Sequence, residues 1–142
     1  MSTLSQLASA NEDMRAMALE ACEAAEALAR VANGSRERVV PAPTAYALLG
    51  ELKVLLWHLD EVTSYLPTGV AASLADPRFD VYDRDYRGED RDPAAQARLA
   101  ATALSEASSA LQQAASAIEA AQTALNGQGY RAPSGNSCTA SE

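Results

Sequence analysis

Lysine is nearly missing from this chain. Lys53 is the only one, and ten arginines are scattered among nineteen acids, for a formal charge of −8. A protein that grips DNA or RNA directly needs a basic stripe to displace counterions from phosphate. None is visible, so direct nucleic-acid binding is not expected. The same acidity works against attachment to an anionic membrane surface. No apolar run approaches the roughly 20 residues that span a bilayer. His58 is the only histidine, so no Ser-His-Asp or Cys-His set can be assembled without it. With Glu51, Glu61 and Tyr65 at helical spacing from it, His58 reads as a partly exposed helix residue. Cys22 and Cys138 are the only cysteines, too few for a disulfide framework or a zinc site. Cys22 reads as a small core residue within a helix, and Cys138 lies in a polar tail. Gly-rich phosphate loops are missing too. Asp83-x-Asp85-x-x-Gly88 begins like a calcium loop, but Arg87 and Ala94 stand where oxygen ligands belong. Catalytic residues, cofactors and metals are therefore all read as none. The amino-terminal MSTLSQLASANEDMR lacks the basic segment and apolar run of a secretory signal, which leaves a cytoplasmic protein as the expectation.

What the chain has is alanine, at 32 of 142 positions. Alanine is the best helix former but buries little area. A thin core is expected, with helices packed toward the close end of the roughly 8–10 Å range. Three stretches repeat small or apolar residues in 3-4-3-4 steps. The first is Leu4, Leu7, Asn11, Met14, Ala18, Ala21, Ala25, Leu28, Ala32. The second is Leu48, Leu52, Leu55, Leu59, Val62, Leu66. The third is Ala97, Ala100, Leu104, Ala107, Leu111, Ala114, Ile118, Ala121, Leu125. Such spacing keeps one side of a helix facing a partner helix.

The boundaries follow from caps and breakers. Thr3 and Gln6 form a capping box that opens a helix over about 3–33, and Asn33-Gly34 closes it. Pro41 and Pro43 delimit a linker before a second helix over about 43–66. Pro67 is expected to break that helix near 66–69, leaving a short extension to 75. Residues 76–92, rich in Asp and Arg with Phe79, Tyr82 and Tyr86 interleaved, hold no single period and read as a charged loop. Asp92-Pro93 caps a third helix over about 93–126, ended by Gly127. Residues 128–142 read as a disordered tail. The expectation is all-α: one domain over 1–127, an up-down-up antiparallel three-helix bundle of long helices.

The second helix carries more apolar surface than one seam needs: Tyr46, Leu49, Val54, Leu56, Trp57 and Tyr65 lie outside its main track. That surplus points to a helical protein–protein interaction module acting through helix packing, an adaptor, scaffold or accessory regulator. Its partner would be another protein or a second copy of the chain, reached through helices 2 and 3. Leu49, Leu56, Trp57, Tyr82 and Tyr86 are the candidate partner-binding residues, since aromatic and Arg side chains are typical anchors. The alternative is a regulator of a mobile genetic element that responds to a small molecule or associates with nucleic acid.

The segment PTAYALLGELKVLLWHLDEV, followed by a charged loop and an Ala-rich helix ending NGQGYR, resembles short all-helical proteins of high-GC Gram-positive bacteria. Some of these lie near plasmid-transfer or phage-like genes. The resemblance covers roughly residues 40–131 and brings no functional residues with it. Secreted WXG100-type hairpins are a poorer match. Their Trp-x-Gly turn is missing, Trp57 being followed by His58-Leu59. Tyr86-x-x-x-Asp90 fits their export pattern but lies in the loop.

Overall fold

The computed structural model describes residues 4–34 and 39–129. Three helices carry it: α1 (Leu4–Asn33), α2 (Ala42–Ala75) and α3 (Pro93–Leu125). Two short strands, β1 (Asp83–Arg84) and β2 (Asp90–Arg91), lie between α2 and α3. The chain is all-α in class, and α2 packs on α3. It divides into two compact units, one holding α1 with Pro77–Asp80, the other holding α2, the strands and α3. Thr3 of the expected capping box, residues 35–38 of the linker, and the tail from 130 on with Cys138 lie outside the described residues.

In the first unit, every α1 side chain whose exposure is described is exposed. Cys22 is among them, which corrects its reading as a core residue. The physical reason is composition: apart from the helix itself, this unit offers only a four-residue segment.

In the second unit, α3 begins as its sequence dictates. Pro93 takes the first helical position, and the Asp92 carboxylate accepts a hydrogen bond from the Ala94 backbone N–H at 3.0 Å. It ends at Leu125, with Gly127 at φ +81° turning the chain away. The α2 helix is a correction. It runs unbroken through Pro67 to Ala75, so there is no break near 66–69. Proline removes one intrahelical donor and crowds the preceding turn. Here its ring is half-buried and lines a shallow apolar cleft with Ala71 and Leu74 of α2 and Ala97 and Ala101 of α3. That apolar setting offsets part of the cost of the lost hydrogen bond.

The loop reading of 76–92 also sharpens. Asp83 pairs with Arg91 and Arg84 with Asp90 in an antiparallel ladder. The same residues pair through their side chains, Arg91 to Asp83 at 2.8 Å and Arg84 to Asp90 at 3.0 Å. The Asp85 carboxylate accepts from the backbone N–H of Arg87 and of Glu89 at 2.8 and 2.9 Å. Gly88 supplies the positive φ, +82°, that closes the turn.

The α2 and α3 helices run antiparallel. Lys53 meets Glu119 at 3.4 Å, Asp60 meets Ser108 and Gln112, and Pro67 meets Ala101. The residues turned inward differ in phase from the expected track on α2 and match six of the nine track residues on α3. On α2 the half-buried positions are Ala42, Ala45, Leu49, Gly50, Leu52, Lys53, Leu56, Asp60, Thr63, Pro67, Gly69, Ser73 and Leu74. Of the expected track, only Leu52 is among them. On α3, beyond the half-buried Pro93, Ala95 and Gln96 of its first turn, the inward positions are Ala97, Ala101, Leu104, Ala107, Ser108, Leu111, Ala115, Ile118, Gln122 and Leu125. Ala100, Ala114 and Ala121 of the expected track are exposed. Lys53, Asp60, Ser108 and Gln122 took positions that hydrophobicity alone assigns to their neighbours, because each finds a hydrogen-bonding or ionic partner across the seam, while Thr63 donates to the Asp60 carbonyl of its own helix. The core is thin: among the described residues only Ala115, 4% exposed, is fully buried.

Candidate interaction surface

The displaced α2 track becomes a surface feature. Leu48, Leu55, Leu59, Val62 and Leu66 are 39–54% exposed. They sit one residue before Leu49, Leu56, Asp60, Thr63 and Pro67, which face α3. One residue turns a helix by about 100°, so these five side chains form a ridge beside the seam.

The third helix repeats the offset. Ala100, Ala107, Ala114 and Ala121 stand one residue before the inward Ala101, Ser108, Ala115 and Gln122. Ala103, Ala110, Ala117 and Ala124 continue the same side in 3-4 steps. Of these eight alanines all are exposed except the half-buried Ala107. In an antiparallel pair, stepping one residue back along each chain turns both helices toward the same side. The α2 ridge and the α3 alanine column therefore belong to one face of the hairpin, with a tall aliphatic wall beside a low one. Soluble monomers rarely leave such contiguous apolar strips open.

The seam beneath this face is held by polar groups. Asp60 accepts hydrogen bonds from the Ser108 hydroxyl and, at 3.0 Å, from the Gln112 amide. These donors, Ser108 first and Gln112 second, hold its carboxyl below the ordinary value against a smaller opposing effect of desolvation. Lys53, ion-paired with Glu119, lies 5.3 Å from the Trp57 ring centroid. The Gln122 amide donates to the Tyr46 carbonyl at 3.1 Å.

The five candidate partner-binding residues fall in three places. Leu49 and Leu56 are half-buried on the side of α2 turned to α3. Trp57 is 51% exposed on α2, adjoining Lys53. Tyr82 and Tyr86 sit in the β1–β2 hairpin and are the most open, at 76% and 89%. Their rings are covered by Arg84 and Arg87, 5.7 and 5.2 Å from the centroids. The structure thus does not bring the five together. The alanine column was missed as a surface, although its eight alanines in unbroken 3-4 spacing are readable. The periodicity places half of them, Ala100, Ala107, Ala114 and Ala121, on the track facing the partner helix.

His58 pairs with Glu61 at 3.2 Å, both exposed. Among the described residues no group of three His, Cys, Asp or Glu side chains is placed to hold a metal ion. No described helix is long and apolar enough to cross a membrane. No known protein family, no curated protein and no solved structure matches this chain.

Proposed function

We propose that the chain is a non-enzymatic helical protein–protein interaction module, an adaptor, scaffold or accessory regulator that works by packing another helix onto the α2–α3 hairpin. One observation carries this reading: five large aliphatic side chains of α2 stand in a single exposed ridge, next to an alanine column that would let a helix backbone approach closely. Burying that face removes apolar area from water without stripping charge, since neither strip contains an ionisable residue. The up-down-up bundle expected from the sequence is the intramolecular version of the same packing, in which α1, with its own 3-4 track, would be the third helix. The occupant in either version is a helix; a cytoplasmic setting fits the acidic surface and remains part of the proposal.

The test is a pair of charge insertions on one helix. Leu55→Glu/Leu59→Glu targets the exposed ridge, and Leu56→Glu the neighbouring seam. The ridge variant keeps its helical content by circular dichroism and loses association, read by sedimentation and by retention of a helical partner. The seam variant loses helical content. A ridge variant that associates as the native chain does would sink this reading.

A further inference from the structure

Resting on that reading, we infer that the face is covered by a second copy of this chain, the α2 ridge of each molecule lying on the α3 alanine column of the other about a two-fold axis parallel to the helices. Three features of the hairpin point there.

The first is side-chain size. A tall leucine wall needs a low surface opposite it, and the hairpin carries both on one side. A two-fold axis parallel to the helices sets ridge on column twice, giving four helices at even spacing. A two-fold axis across the helices would set ridge on ridge and column on column, one pair wide and the other narrow.

The second is charge. The α3 helix is nearly neutral, with only Arg98, Glu106 and Glu119 in 33 residues, and none of these lies in the column. It can cover the ridge at little electrostatic cost.

The third is length. The ridge runs from Leu48 to Leu66 and the column from Ala100 to Ala124, about 27 and 36 Å of helix. Two such ridge-on-column contacts bury on the order of 1,000–1,200 Å² in total, the lower edge of specific assembly. The dimer is accordingly expected at the weak end of specific association.

The arrangement fixes who meets whom. An axis parallel to the helices leaves heights unchanged, and the Lys53–Glu119 and Asp60–Gln112 contacts set those heights. Leu55 then comes level with Ala114 of the second copy, and Val62 with Ala107 of the second copy.

Full-length chains carrying Cys22→Ser and Cys138→Ser, with either Leu55→Cys or Ala114→Cys, are mixed and mildly oxidised. The expected result is a disulfide-linked pair formed between the two variants, several-fold above that from a Leu55→Cys and Leu59→Cys mixture. Sedimentation of the native chain shows a monomer–dimer equilibrium, shifted to monomer by Ala114→Glu with helical content kept. Preferential linkage of Leu55→Cys to Leu59→Cys overturns this arrangement while leaving the interaction surface standing. A native chain that stays monomeric at about 100 µM overturns the second copy as occupant. The interaction reading then survives only if the native chain, but not the ridge variant, retains a different helical partner.

Discussion

Replacing Ala115 with leucine probes the α2–α3 seam at the one described side chain that is fully buried, 4% exposed. Three added carbons have no room there, and forcing them in costs about 1–3 kcal/mol through displaced side chains and separated helices. The change in helix propensity, a few tenths of a kcal/mol at most, is too small to decide the outcome. Against a total stability of about 5–15 kcal/mol for an ordinary domain, and with so little else buried, this is a large fraction. In a unit of about this size, 1 kcal/mol moves the midpoint by roughly 4–8 °C, so Ala115→Leu lowers Tm by about 5–20 °C. Its neighbour Ala114 is exposed, and Ala114→Leu stays within about 0.5 kcal/mol of the native chain. Thermal and urea unfolding followed by far-UV circular dichroism make the comparison, at low concentration so that association does not contribute. A larger loss at position 114 than at 115, or equal losses, would show that α3 faces α2 with the other phase and would refute the placement of the surface face.

Three further outcomes follow from local structure. Pro67→Ala restores a backbone donor inside α2 and gains about 1–3 kcal/mol in urea unfolding, less than the full propensity difference of about 3 kcal/mol because the ring's packing is lost; no gain would mean the ring's contacts with Ala71, Leu74 and Ala101 outweigh the missing bond. Gly50→Ala brings a Cβ to 2.9 Å from the Gln122 amide nitrogen, the far end of a flexible side chain, so the amide swings away from the Tyr46 carbonyl. The propensity gain of roughly 1 kcal/mol exceeds the loss of that exposed hydrogen bond, for net stabilisation of about 0.5 kcal/mol, and destabilisation would contradict this. Asp60 has its folded carboxyl held below 3.8 by Ser108 and Gln112. The stability it contributes is present above the unfolded value and falls away as pH drops through the lower folded value. The stability gap between native and Asp60→Asn chains therefore narrows as pH falls through 3.8 and below it, whereas a constant gap would show that the charge is not what matters.

The helices themselves were legible because their stop and start signals are local. Asp92-Pro93 and Gly127 act within one turn of where they stand, and α3 begins and ends beside them. The phase of the seam was legible on α3 only at Ala97, Leu104, Ala107, Leu111, Ile118 and Leu125, because elsewhere alanine stands on both sides of the deciding line: Ala100 beside Ala101, Ala114 beside Ala115. A periodicity count gives these equal weight. Elsewhere polar residues broke the pattern, Ser108 and Gln122 on α3 and Lys53 and Asp60 on α2, each turned inward toward a partner supplied by the other helix. Such pairings are properties of two segments 48 to 76 residues apart and leave no trace in either alone. Pro67 failed as a breaker for the same reason, since its compensation comes from α3. The β1–β2 hairpin escaped notice because each strand is two residues long, too short for alternation to register.

Asp60 has a consequence for alignment. Two helices lined with leucine and alanine can slide past one another by one heptad, about 10 Å, and find nearly the same apolar surface. For the carboxylate the settings are not equivalent. A shift one way replaces Ser108 and Gln112 with Ala101 and Ser105, and a shift the other way with Ala115 and Glu119. The first halves its donors and the second sets it against another acid. A single aspartate thereby separates one correct sliding position from its near-degenerate neighbours, a discrimination that the greasy residues around it are too alike to make.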